Sequence, residues 1–423
     1  MAYIKNCKFG ILLSMNAKIK SLLKEVQDDE YRNGNLLHLT ANEPALSQLA
    51  KSYLSSELSS RYYFGGGDEE GVVDFQPSSF LGLSGVEALI REATESSASL
   101  LNGDSVNISC HSGLHAMLCS ILSTTEVGDC VMSLSVEDGG HFSTSTIIQK
   151  LGRINIFASF DQANLRLNTH EIAYSVKLHN VKAIYLDASF YLNPHNLREL
   201  RDAVGEGVII IYDASHTVGL MLGQQFQQPL LEGADIISAN THKTLPGPQK
   251  GMLVMRSKLL SEKVNGLIGG GLISSPHTAE MIALSITLLE MKEFGKEYAS
   301  SIIENSRSLG ASLLEKGYEL RRANTGAVSE NHQLHLYTDT IGDYRKLYQS
   351  FLSNNLSVNF SNTLGGRMFI RIGTQEITRR GMSHDEMSQI ANFIDSSLRG
   401  KDVGDDVVAF NKVYNKVYYS YDN

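Results

Sequence analysis

Two side chains able to share one reaction stand at the ends of two short apolar runs. Lys243 follows Ala234-Asp235-Ile236-Ile237-Ser238 by a few residues and opens the Pro/Gly-rich stretch Thr244-Leu245-Pro246-Gly247-Pro248. Asp213 closes Val208-Ile209-Ile210-Ile211-Tyr212, whose unbroken apolar and aromatic character predicts a parallel strand covered on both faces. Open α/β sheets bind their ligands at the carboxyl ends of such strands, so the pattern predicts an amine and a carboxylate on one rim. Such a lysine can hold an aldehyde as a Schiff base, and the aspartate can keep a pyridinium nitrogen protonated. Pyridoxal 5'-phosphate chemistry requires that pair. A lone lysine in a loop is most often just solvated, so the pairing carries the argument.

The residues around both anchors resemble a known family. Thr241-His242-Lys243-Thr244-Leu245 with Gly247-Pro248 beyond it is similar to the lysine motif of the serine hydroxymethyltransferase superfamily. Asp213-x-x-His216-x-x-Gly219-Leu220 resembles its pyridinium-anchor motif. The resemblance implies a fold-type I pyridoxal phosphate enzyme: an α/β fold with a mostly parallel, seven-stranded-type sheet flanked by helices, and a small α+β C-terminal domain. It places Lys243, Asp213, His216 and His242 around the cofactor.

Composition agrees and excludes some classes. With 423 residues the chain can bury a large core and divide into domains, and a net charge of -9 argues against nucleic acid as a partner. The cysteines Cys7, Cys110, Cys119 and Cys130 show no metal-binding spacing, and three lie in apolar segments, which suggests reduced thiols in a cytoplasmic setting. The run at 9–13 after Lys5 and Lys8 faintly imitates a secretory leader, but it is too short and lacks a cleavage pattern; Met15 is an alternative start. No run approaches the length of a membrane span.

Further motifs follow in family order. Residues 19–31 have the spacing of an amphipathic helix. The segment at 36–43 resembles the family's substrate-side Ala-Ser-Glu-Asn element, with Asn42 in place of its serine and Glu43 at its glutamate. Arg61-Tyr62-Tyr63 before Gly65-Gly66 is similar to an element that reaches the neighbouring subunit's active site, making Tyr63 a substrate contact, although paired tyrosines are more often packing residues. Glu57 fills the role of a family glutamate only if a two-residue gap is accepted.

Residues 105–110 predict a strand, His111-Ser112-Gly113 a turn and 114–122 a helix, which together make an anion cup of free N–H groups and helix dipole. Ser112 and Gly113 would hold the phosphate, although Ser-Gly is also a common plain cap. Leu114 stands where the family has a second serine, leaving Thr241 or His242 to supply that contact. His141, in Asp138-Gly139-Gly140-His141-Phe142, matches the family histidine that stacks on the cofactor ring; a structural histidine is the alternative. Asp138 and Phe142 look more like the threonine transaldolase branch than the folate-using one.

Ser189, past the strand at 181–187, matches a serine near the cofactor's 3-hydroxyl, though a strand-end serine is usually a turn residue. Gly270 and Gly271 match glycines that reach the partner's phosphate; a plain loop is the alternative. A helical pattern at 280–314 leads into strands at 333–337, 356–360 and 367–372 and helices at 343–352 and 383–398. Ile370-Arg371-Ile372-Gly373-Thr374 resembles the carboxylate-binding segment, with Arg371 as bidentate clamp. The loop at 361–367 is much shorter than the one that helps hold the pterin in folate-using enzymes.

These readings divide the chain into an N-terminal arm at 1–60, a large cofactor-binding domain at 61–290 and a small domain at 291–423. The resemblance implies a homodimer with shared active sites that works on the Cα–Cβ bond of a β-hydroxy-α-amino acid, with threonine, serine or glycine as substrate, no metal, no nucleic acid and no membrane. An L-threonine transaldolase or aldolase, passing the glycine unit to an aldehyde, is the leading expectation. Serine hydroxymethyltransferase using tetrahydrofolate is the alternative. An inactive binding protein on the same fold stays open, with the set Lys243, Asp213, His141 and Arg371 speaking against it.

Overall fold

The computed structural model describes residues 16–75, 78–362 and 364–422. Cys7, the leader-like run and Met15 lie outside them. Seven strands form the central sheet: β1 (Ser105–Asn107), β2 (Cys130–Ser133), β3 (Ile154–Phe157), β4 (Val181–Asp187), β5 (Ile209–Asp213), β6 (Ile236–His242) and β7 (Pro246–Met255). Their order is β1-β7-β6-β5-β4-β2-β3. The strands from β6 to β3 are parallel to their neighbours, and β7 runs antiparallel to both β6 and β1. The sheet is thus mixed, and its parallel centre is formed by the apolar runs that predicted it. Ile184, Leu186, Ile210, Tyr212 and Ile237 are buried on one face, and Tyr185, Ile211 and Ile236 on the other.

The parallel strands deliver chemistry to one rim. Asp187 ends β4 and pairs in register with Asp213 at the end of β5, while His242 ends β6 immediately before Lys243. Helix α1 (Gly113–Thr124) follows β1 and begins at the same rim.

Helix α2 (Thr278–Glu315) links two cores. Met281, Leu284, Leu288 and Ile302 pack into the large core, and Leu309 and Leu313 into the small one. The small lobe carries the antiparallel sheet β8 (Gln333–Tyr337), β9 (Asn359–Ser361) and β10 (Phe369–Gly373) in the order β8-β10-β9. Leu37–His38 pairs in parallel with Leu356–Ser357, tying the N-terminal segment to this lobe. The helix Ala17–Asn35 buries none of its residues, so Leu22, Leu23 and Val26 face solvent. No helix among the described residues is long and apolar enough to cross a membrane.

Candidate active site

The two anchor motifs are built into one another. Thr244, next to Lys243, donates its hydroxyl to the His216 carbonyl at 2.9 Å and accepts from the Gly219 N–H at 3.2 Å. Gly219 is needed there, because a Cβ would stand 2.3 Å from the Thr244 carbonyl oxygen. The loop after β5 therefore packs against the residue after Lys243 and fixes the acid and the amine relative to each other.

A cavity of about 220 Å³ opens between them, lined by Ser112, Gly113, His141, Ser189, Asp213, His216, His242 and Lys243 among others. Eight residues assigned to the cofactor by resemblance are thus brought together. Nζ of Lys243 lies 3.1 Å from His216 Nε2, and with the Asn240 amide oxygen turned towards it, 3.1 Å from that oxygen. Burial lowers the Lys243 amine to about 8, against the pull of Asp213 and with help from Arg371. Asp213 is held by Tyr185, which donates to Oδ2 at 2.7 Å, and by the Ser215 N–H, which donates to Oδ1 at 2.8 Å.

Ser112 caps α1, its Oγ accepting from the His115 N–H at 3.1 Å. Gly113 allows close approach of the cup to β6, since a Cβ there would lie 2.7 Å from Asn240 Cβ. Thr241 does not serve the cup: its hydroxyl donates to the Pro248 carbonyl at 2.6 Å and accepts from the Lys250 N–H at 3.0 Å, between β6 and β7. His242 lines the cavity instead, with Nδ1 unpartnered and its proton affinity lowered to about 4 by burial and the nearby Lys243. His141 stands at the rim, its N–H donating to Asp187 Oδ2 at 2.9 Å and its Nδ1 2.8 Å from Ser143 Oγ.

Arg371, on β10, adjoins the cavity through Ser189. It donates to the Ser189 carbonyl and to Asn359 Oδ1, both at 3.1 Å, and its Cζ lies 4.8 Å from the Phe190 ring centroid. It is only 8% exposed, its Nε has no partner, and among the described residues it forms no ion pair. Burial pulls the guanidinium down to about 10. A buried cation supported only by neutral acceptors is electrostatically ready for a carboxylate.

Other predicted residues lie elsewhere in the chain. Tyr63 donates to Glu87 and packs among apolar residues at the edge of the large core. Gly270 and Gly271 are exposed in the turn Ile268–Leu272, and Glu57 lies on the surface beside Arg61. Asn42 and Glu43 line a second hollow that shares His242 with the first. There Glu43 accepts from Thr40 at 2.8 Å and sits 3.6 Å from His38 Nδ1, which holds its carboxyl below the usual range.

Sequence reasoning passed over Tyr185, Asp187, Asn240 and His332. The buried His332 ring lies 5.9 Å from that of His216 and bonds the Ala41 carbonyl at 3.1 Å, joining the N-terminal segment to the site. The strand-end position of Asp187 was a usable signal, equal to that of Asp213. The fold also brings Cys110, His115 and Cys119 within 4.8 Å of one another, although their spacing resembles no metal motif; His115 Nδ1 there accepts from the His111 N–H at 3.1 Å.

The groups that line the cavity fit pyridoxal phosphate: Lys243 would hold its aldehyde, Asp213 its ring nitrogen, and the α1 terminus with the unpartnered Nδ1 of His242 its phosphate. Known proteins agree. The chain is 35% identical over 375 residues to a fluorothreonine transaldolase of Streptantibioticus cattleyicolor, a match spanning 88% of this chain and 59% of that protein's length. It is 33% identical to a serine hydroxymethyltransferase of Methanosphaera stadtmanae over 97% of both chains. The crystal structure of an L-threonine transaldolase from Pseudomonas fluorescens superposes with a TM-score of 0.86 at 25% identity, covering 100% of this chain and 96% of that one. With the serine hydroxymethyltransferase pattern matching residues 15–394, the lysine, the acid and the cup have one origin: this chain is a pyridoxal-phosphate-dependent transferase of the serine hydroxymethyltransferase family.

Proposed function

We propose that the protein is an L-threonine transaldolase or aldolase, which opens the Cα–Cβ bond of a β-hydroxy-α-amino acid and passes the glycine unit to an aldehyde. The observation that carries the amino-acid part is Arg371, a buried guanidinium without a carboxylate partner beside the Lys243 cavity. Clamping the substrate carboxylate there and its amine near Lys243 fixes rotation about Cα and sets which bond faces the ring. Bound pyridoxal phosphate supplies the electron sink for the pair released at Cα. Asp213 holds the proton on the ring nitrogen, and His141 covers the open side of the cavity. Lys243, whose amine burial lowers to about 8, would hold the cofactor's aldehyde and could move a proton at the substrate's Cα.

Transaldolase action is favoured over folate use by the seven-residue connection 362–368 between β9 and β10, which leaves little chain to enclose a pterin. Asn42, Pro246, Gln249 and the Asp138 and Phe142 variant around His141 at family motif positions point the same way. The protein would act as a cytoplasmic homodimer in which Tyr63, Gly270 and Gly271 of one subunit complete the other's site; their position away from the chain's own cavity is compatible with that. The arm, large and small domains at 1–60, 61–290 and 291–423 are proposed as its units.

The second reading, serine hydroxymethyltransferase, draws on the full-length match to the Methanosphaera stadtmanae protein. The deciding assay offers L-threonine, L-serine and glycine with and without tetrahydrofolate and follows acetaldehyde and formaldehyde. Acetaldehyde from threonine without folate, with an added aldehyde built into a new β-hydroxy amino acid, is expected. Strict folate dependence with serine preferred would reverse the assignment.

A further inference from the structure

Asp187 is only 3% exposed and lines the Lys243 cavity, yet the resemblance gives it no role. Its two oxygens differ. Oδ2 accepts from the His141 N–H at 2.9 Å and from Thr144 Oγ1 at 2.5 Å, while Oδ1 is buried without a partner. A carboxyl so divided is half anchor and half open contact, and leaving a buried polar atom unmet is costly unless a ligand meets it.

The neighbours narrow what that ligand atom can be. Asp213, in register on the adjacent strand, serves the ring nitrogen; Lys243 serves the aldehyde carbon; Ser112 and Gly113 face the phosphate. The ring's 3-oxygen, which the resemblance sets near Ser189 two residues past Asp187, is the hydrogen-bonding atom on this edge of the cavity. That oxygen is anionic when the ring nitrogen is protonated and the aldehyde carbon is bound to a lysine, so it calls for a donor rather than a second anion.

Resting on the assignment of pyridoxal phosphate to this cavity, we propose that Asp187 is a cofactor contact, a neutral carboxylic acid whose Oδ1–H donates to the cofactor's 3-oxygen while Oδ2 anchors the His141 loop. The surroundings favour the neutral form. Burial pushes the carboxyl up to about 7, Thr144 opposes this, and the Asp213 carboxylate adds to it. An anionic ring oxygen would push it further in the same direction.

The test separates donor, charge and anchor. Apoprotein is titrated with pyridoxal phosphate by fluorescence, and the visible absorbance of the bound cofactor is recorded, for wild type, Asp187→Asn, Asp187→Ala and Thr144→Val. Asp187→Asn keeps a donor beside an acceptor, so its affinity should stay within about threefold of wild type and its absorbance in place. Asp187→Ala should weaken binding by about tenfold or more and shift the absorbance. Thr144→Val removes one bond to Oδ2, favours the neutral carboxyl and leaves Oδ1 in place, so it should leave the absorbance maximum unmoved.

The proposal is overturned if Asp187→Ala leaves both readouts unchanged, if Asp187→Asn is as damaging as alanine, or if Thr144→Val reproduces the alanine shift. Wild-type protein that takes up no pyridoxal phosphate would instead defeat the cofactor assignment beneath it.

Discussion

Nζ of Lys243 lies 3.1 Å from Nε2 of His216, a buried imidazole whose proton affinity is held well below that of free histidine by burial and then by Lys243 itself. The imidazole is therefore neutral, and its Nε2 can accept from the lysine ammonium while Nδ1 carries the ring proton. The amine keeps its proton weakly, at about 8, because burial outweighs the attraction of Asp213. The uncharged amine is the form that attacks an aldehyde, and lowering its proton affinity enlarges that fraction near neutrality. Capture of pyridoxal phosphate by the apoprotein should accordingly accelerate as pH rises through about 8 and level off above it. Stopped-flow absorbance across a pH series measures this. A rise centred near 10.5, the ordinary lysine value, would show that the environment does not tune Lys243.

Arg371 yields a different prediction because geometry and charge can be separated. Arg371→Ala removes the guanidinium from a site with no carboxylate partner, so nothing acidic is stranded and the fold should hold. Amino-acid binding should fall by about 2–5 kcal/mol, while pyridoxal phosphate binding changes little. Arg371→Lys keeps the charge and loses the fork, and should recover only part of the loss. Equal affinity of the variants and the wild type for glycine, read from spectral titration, would remove Arg371 from the substrate site.

What the sequence could reveal here depended on range. The apolar runs before Asp213 and Lys243 dictate strands, and strand polarity alone puts their last residues on one rim. The small lobe was legible for the same reason: the strand predicted at 333–337 coincides with Gln333–Tyr337, and the stretch 356–360 splits into Leu356–Ser357 and Asn359–Ser361. Tyr185 was read as part of an apolar strand; its hydroxyl finds Asp213 on the adjacent strand, which periodicity does not encode. The His332–Ala41 bond joins residues far apart in sequence and follows from tertiary packing alone. Thr241 was legible as a motif residue but not in its orientation, because a register shift between β6 and β7 at this point is what turns its hydroxyl to Pro248.

The deepest ion pair lies away from the chemistry. Arg379 Nη2 donates to Glu290 Oε2 at 2.8 Å with both side chains fully buried, linking the segment after β10 to α2. Burial raises the Glu290 carboxyl and Arg379 opposes that rise. Glu290→Gln should destabilise the protein by about 3–5 kcal/mol, since it leaves a guanidinium buried and uncompensated. Replacing both residues with methionine should cost less than the two single changes added together. Urea unfolding of wild type, Glu290→Met, Arg379→Met and the double variant measures the coupling. A Glu290→Gln protein within about 0.5 kcal/mol of wild type would mean that water reaches the pair.

Gly113 offers a test in which affinity and stability should diverge. It is the first residue of α1, where alanine is normally the better helix former by up to about 1 kcal/mol. An added Cβ would, however, meet Asn240 Cβ at 2.7 Å and the Asn240 nitrogen at 3.1 Å, and β6 backbone has little freedom to retreat. The helix terminus must then shift away from β6, carrying with it the N–H groups that face the cavity. Charge-assisted bonds to a phosphate depend steeply on that alignment. Gly113→Ala should therefore weaken pyridoxal phosphate binding by about tenfold or more, while apoprotein stability moves by less than about 1 kcal/mol. Fluorescence titration and urea unfolding of the same preparation give both numbers. Unchanged affinity would show that the phosphate is held by side chains rather than by the terminus of α1, whereas a parallel collapse of stability would assign Gly113 to packing alone.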